Sequence, residues 1–138
     1  MLRTDLIHPG ILQALAEAGH GSTILISDGN FPHRTGPLPV AARVYLNLSP
    51  GRMLVTEVLE TLVTAVPIES AALMRSPEPV PPPAHDAIIA LLPPGTPVEQ
   101  LDRFDFYAAT RSTDLALVIA TGDQRLYANV LLTIGVVR

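Results

Sequence analysis

The clearest periodicity in the chain runs from Met53 to Val66, MLVTEVLETLVTAV. Val55, Val58, Leu59, Leu62, Val63 and Val66 recur at three- and four-residue spacing with Glu57, Glu60 and Thr64 opposite them, which predicts an amphipathic helix. A second helix is expected in HPGILQALAEAGHG, opening near Pro9, presenting Ile11, Leu12, Leu15 and Ala18 on one face, and closing at Gly19 as a left-handed terminator. Thr23 to Ser27, TILIS, abandons helical spacing. Nearly every position is apolar, the pattern of a strand covered on both faces. Asp28-Gly29-Asn30 and then Pro32 supply turn chemistry.

Pro67 stops the central helix, and IESAALM reads as a strand. In SPEPVPPPAHD the proline density argues against helix and central strand alike, so an exposed polyproline-like loop is expected around residues 77–84 rather than a ligand for a proline-binding module. His85 to Leu92 reads as a short helix stopped by Pro93-Pro94-Gly95, Pro97 to Leu101 as an edge strand, and Asp102 as the N-cap of a helix through Phe106 and Ala109. The last third, DLALVIATGDQRLYANVLLTIGVV, gives two strand-like runs joined around Gly122-Asp123. Helices and strands that alternate within 138 residues predict one α/β domain over residues 1–138, with a mainly parallel sheet flanked by helices.

Composition narrows the chemistry. Aromatics make up only 4% of a chain that is 48% hydrophobic, so Leu, Val, Ile and Ala must build the core. The net charge is -4 and the basic residues are scattered, which makes nucleic acid and anionic membrane poor partners. All nine basic residues are arginine, which removes a lysine Schiff base and the Walker-type phosphate lysine. Cysteine is absent, excluding disulfides and thiolate chemistry. Met1 to Gly10 lacks the apolar run of a signal peptide and no later segment reaches the roughly 20 apolar residues of a spanning helix, so a cytoplasmic location is expected. His8, His20, His33 and Asp28 match no metal-ligand spacing, and no metal is expected.

The remaining candidates are few. His20 sits between glycines at an element junction, where backbone is open and an imidazole is suited to proton transfer near neutral pH. Asp28 ends a buried strand, where ligands collect in open α/β sheets, although an aspartate there also caps a turn. If Thr23 to Ser27 is extended, His20 and Asp28 lie on the order of 20 Å apart. Either they are unrelated, or a shared site forms between His20 of one subunit and Asp28 of another. Tyr127, Ala128 and Asn129 in RLYAN offer a phenol, a carboxamide and backbone groups suited to several hydroxyls. Arg103 opens a helix against the preference of the helix dipole, a placement that points to function.

In their order, LAEAGHGSTILISDGNFP (Leu15 to Pro32), VTEVLETLVTAVPIESAALM, RFDFY (Arg103 to Tyr107) and TGDQRLYANVLLTIGV (Thr121 to Val136) give the chain a resemblance to the D-ribose pyranase / L-fucose mutarotase family, the RbsD/FucU-like proteins. The resemblance implies that family's fold and a cofactor-free cytoplasmic isomerase that interconverts anomers or ring forms of a free monosaccharide. It further implies a ring-shaped homo-oligomer with sites at subunit contacts. On it His20 matches the proton donor, Asp28 a substrate-contacting carboxylate, and Tyr127, Ala128 and Asn129 the terminal binding segment. Arg103 falls where the fucose branch has arginine and the ribose branch histidine, which favours an L-fucose-like sugar. The proline-rich middle of the chain departs from the family pattern. The alternative expectation, from a different class, is a non-catalytic sugar-binding protein accessory to transport or sensing.

Overall fold

In the computed structural model, which describes residues 1–138, four helices and six strands alternate as α1 (Pro9–Glu17), β1 (Thr23–Ser27), β2 (Ala42–Tyr45), α2 (Val55–Leu62), β3 (Ile68–Met74), α3 (Pro83–Leu91), β4 (Val98–Leu101), α4 (Arg103–Ala109), β5 (Leu115–Ala120) and β6 (Val130–Ile134). The strands form one sheet in the order β2-β5-β1-β6-β3-β4. β1 pairs parallel with β5, β2 with β5 and β3 with β4, whereas β6 runs antiparallel to both β1 and β3. Five strands therefore point one way and β6 alone returns.

The unbroken apolar runs of the strands follow from a sheet covered on both faces. Ile24 and Ile26 of β1, Leu117 and Ile119 of β5, and Val130, Leu132 and Ile134 of β6 face a large core shared with Ile11, Val55, Leu59, Leu62 and Ile88 of the first three helices. Leu25, Val118 and Leu131, one residue out of step, face a smaller core with Phe31, Met74 and Phe106 of α4. The period of two in a strand thus divides consecutive apolar residues between two cores. No helix is long and apolar enough to cross a membrane.

Several local expectations change. The central helix is shorter than Met53–Val66, ending at Leu62, with Val63 and Val66 still packed against the large core. α1 closes at Ala18, which is extended, and the positive φ falls on Gly21 rather than Gly19. Asp102 is the N-cap residue of α4 but makes no side-chain cap bond; its carboxylate accepts from Arg75 Nη1 at 3.1 Å. The loop expected over 77–84 ends early, because Pro83 is the first residue of α3. Proline is excluded from a helix interior but not from its first turn, where no N–H is required and its φ is already helical. β2 was not foreseen: it has four residues, only Val44 is buried, and it forms a sheet edge.

Candidate active site

The reversed strand assembles the cleft. Because β6 is antiparallel to β1, with Val130 opposite Ile26, the segment entering β6 lies beside the residues leaving β1. Asp28 and Asn129 are 101 positions apart and make two hydrogen bonds. The Asp28 N–H donates to Asn129 Oδ1 at 3.0 Å, and Asn129 Nδ2 donates to Asp28 Oδ2 at 3.0 Å. Both are buried, at 3% exposure each. β3 delivers Met74 to the same end, and β4 leads directly into Arg103.

Asp28, Asn30, Phe31, Met74, Arg103, Tyr107, Leu126, Tyr127 and Asn129 line a cleft of about 190 Å³, small beside the roughly 300–1,000 Å³ of pockets for drug-sized ligands. Its aromatic wall is built edge to face: Phe31 meets Phe106 with centroids 6.5 Å apart and Tyr107 at 5.5 Å. The Arg103 guanidinium lies 5.4 Å from the centre of the Tyr107 ring, and its Nε donates to the Tyr107 hydroxyl at 3.3 Å. Arg103 is exposed, with further donors available to a ligand. An apolar wall facing carboxylate, carboxamide, phenol and guanidinium suits a molecule with one C–H face and many hydroxyls.

Burial raises the Asp28 pKa above the ordinary aspartate value; bonds from the Asn30 N–H, Asn129 and the Phe31 N–H oppose the shift, and the Asp123 charge adds to it. The Asp28 carbonyl accepts from His33 Nε2 at 3.0 Å, so the turn is held through its main chain as well as its side chain. Burial lowers the His33 pKa, partly offset by that same bond. A carbonyl oxygen only accepts, so Nε2 is the donating nitrogen of His33.

Asp123, fully buried, supports the framework beside the cleft. Burial alone would raise its pKa, but the hydrogen bonds and charge of Arg125 and the Val55 N–H outweigh it and hold the group low. Arg125 Nη2 donates to Asp123 Oδ2 at 2.6 Å. The same oxygen accepts from the Val55 N–H at 3.0 Å, fixing the start of α2.

His20 is elsewhere. It lies at the opposite end of β1, in a depression lined by Pro67, Ile68, Glu69, Gly135, Val136 and Arg138, which shares no residue with the cleft. Its Nε2 is 2.8 Å from Glu69 Oε2. Of the residues singled out from sequence, Asp28, Arg103, Tyr127 and Asn129 converge and His20 stands apart. Ala128 is fully buried with its side chain in the large core, so only its main chain is available to a ligand. Tyr127 and Asn129 lie before β6 rather than on it, and Tyr127 holds a left-handed φ of 61°. Glu69 and the wall residues Phe31, Met74 and Tyr107 were not singled out as site residues. The proximity of Glu69 to His20 depends on β3 and β6 being neighbours, which no local motif records. No cluster of three His, Cys, Asp or Glu side chains is placed to hold a metal ion.

The sequence pattern of the RbsD / FucU transport protein family matches residues 1–137. A D-ribose pyranase of Paracidovorax citrulli is 32% identical over 142 aligned positions, covering 99% of this chain and 98% of the relative. Among solved structures, FucU from Bifidobacterium longum superposes with a TM-score of 0.81 at 30% identity over 96% of each chain. Bacillus subtilis RbsD complexed with D-ribose superposes with a TM-score of 0.85 at 24% identity over the full length of both.

Proposed function

The chain belongs to the RbsD / FucU transport protein family, and on that premise we propose that it interconverts anomers or ring forms of a free monosaccharide by general acid-base catalysis. The observation that carries this reading is the convergence of Asp28, Arg103, Tyr127 and Asn129 from three separate stretches of chain on one cleft. Opening a cyclic hemiacetal requires a proton delivered to the ring oxygen while another leaves the anomeric hydroxyl. Closure on the other carbonyl face gives the second anomer, and closure through another hydroxyl gives another ring size.

In this reading Asp28 and Asn129 orient sugar hydroxyls, Tyr127 and Ala128 contribute the phenol and a main-chain group, Arg103 binds a hydroxyl or the ring oxygen, and the Phe31–Tyr107 wall takes the C–H face. His20 handles one proton, and Glu69 fixes its orientation by engaging Nε2, leaving Nδ1 for the sugar. A positioned acid or base is worth about 10²- to 10⁴-fold, adequate for a reaction that already proceeds slowly in water. Since His20 and the cleft occupy opposite ends of β1, the complete site takes His20 from a neighbouring subunit of a homo-oligomer, with the ring arrangement the resemblance implies. No metal or cofactor is assigned a role, and the cytoplasm is the proposed compartment.

Arg103 favours an L-fucose-like substrate, whereas the 32% identical relative is a D-ribose pyranase. Saturation transfer between anomeric protons of each sugar tests the reading and chooses between them. Transfer that requires the protein and vanishes in His20→Ala supports the enzyme. The transport description of the family favours one other reading, a binding protein accessory to transport; sugar binding without exchange on either sugar would establish it and overturn catalysis.

A further inference from the structure

We propose that His85 is a positioning residue of the cleft: its imidazole holds the Tyr127 carbonyl, and through it the left-handed turn that aims Tyr127 and Asn129 at the sugar. This rests on the sugar-binding part of the reading above.

Tyr127 lines the cleft with a φ of 61°, a conformation that a tyrosine holds only under restraint from its surroundings. Three restraints are visible. Ala128 is packed into the large core, Asn129 is paired with Asp28, and the Tyr127 carbonyl lies 3.1 Å from His85 Nε2. A carbonyl oxygen only accepts, so Nε2 carries the proton and Nδ1 is the bare nitrogen. Nδ1 is buried and has no hydrogen-bond partner. His85 as a whole is 2% exposed, and burial lowers its pKa below the ordinary histidine value against the bond to Tyr127, the Asp86 charge and the main chain of Met74. An apolar side chain would fill this volume without an unsatisfied nitrogen. The one hydrogen bond of ordinary geometry that the imidazole makes goes to a cleft residue, Tyr127.

The proline run gives this bond its geometry. Pro82 is the N-cap of α3 and Pro83 its first residue, so the start of the helix is set by two residues of nearly fixed φ. His85 lies two positions further on, in the first turn, and the buried Ala84 and Ile88 seat the helix on the large core. The proline-rich segment thereby belongs to the site.

The test compares His85→Leu, which removes the donor, with His85→Gln, whose amide N–H can reach the same carbonyl, in the full-length chain. Nitrogen-15 spectra of wild-type imidazoles should show Nε2 protonated in His85. The dissociation constants for L-fucose and D-ribose, read by NMR titration, should rise about tenfold in His85→Leu and stay within about threefold in His85→Gln. The intraresidue HN–Hα NOE of Tyr127, intense at positive φ, should weaken only in His85→Leu. A proton on Nδ1 in the wild type, unchanged affinity and NOE in His85→Leu, or loss of both in a folded His85→Gln would each overturn the proposal. If His85→Leu does not fold, the wild-type tautomer and His85→Gln decide. A wild type that binds sugar without anomer exchange defeats the catalytic reading alone; if it binds neither sugar, the tautomer and NOE still decide the positioning claim.

Discussion

Asp28 combines two properties that seldom coincide, near-complete burial and a carboxylate shared between a main-chain turn and Asn129. Replacing it by alanine leaves the Asn129 amide group without its acceptor and removes the group proposed to orient the sugar. Asp28→Ala is expected to weaken sugar binding by about 10²-fold or more, measured by titration; unchanged affinity would remove Asp28 from the site. At the other end of β1, Glu69→Gln should lower kcat about tenfold with little change in KM, because it disturbs the orientation of His20 and touches no substrate-binding group. A change in KM alone would assign Glu69 to binding instead.

At the scale of elements, legibility divides along a physical line. The helix at Met53–Val66 and the strand at Thr23–Ser27 were readable because side-chain period and burial agree there. β2 was not, since a four-residue edge with one buried position carries almost no period. The start of α3 is hidden because the density of proline around 77–84 points to a loop, whereas Pro83 in the first turn initiates the helix as Pro9 does in α1. Asp28, Arg103, Tyr127 and Asn129 were legible from motifs, but that they meet is a consequence of β6 reversing. His85 and Glu69 act through partners 42 and 49 residues away, distances over which local pattern is silent. Framework packing offers its own test. A Cβ on Gly122 would collide with the carbonyl oxygens of Ser49 and Arg52, backbone that cannot rotate aside, so Gly122→Ala should cost about 2–3 kcal/mol in chemical denaturation; a stability within about 0.5 kcal/mol of wild type would show that the loop yields.

For the whole molecule, acid sensitivity follows from two histidines, His85 buried and His33 half-buried. Burial holds both His33 and His85 below their ordinary value of 6.5, each against a hydrogen bond to a carbonyl. Between the lowered folded value and 6.5 the unfolded chain binds protons that the folded chain does not, so stability rises with pH through that window and is lost on acidification. Asp28, whose pKa burial raises from 3.8, has the opposite sign: its contribution falls as pH rises through the range above 3.8. The thermal midpoint should therefore drop between about pH 7 and pH 5.5, and the drop should shrink in the doubly substituted His33→Gln/His85→Gln chain. An equal drop in both would assign the sensitivity elsewhere.

The assembly proposed here makes each site depend on two chains, His20 from one and the Asp28 cleft from another. Co-refolding equal amounts of the inactive variants His20→Ala and Asp28→Ala, then measuring saturation transfer between sugar anomers, tests this most directly. Random mixing should restore about a quarter of the wild-type exchange rate, because that fraction of interfaces pairs an intact His20 with an intact Asp28. A mixture as inactive as its separate components would contradict the shared site.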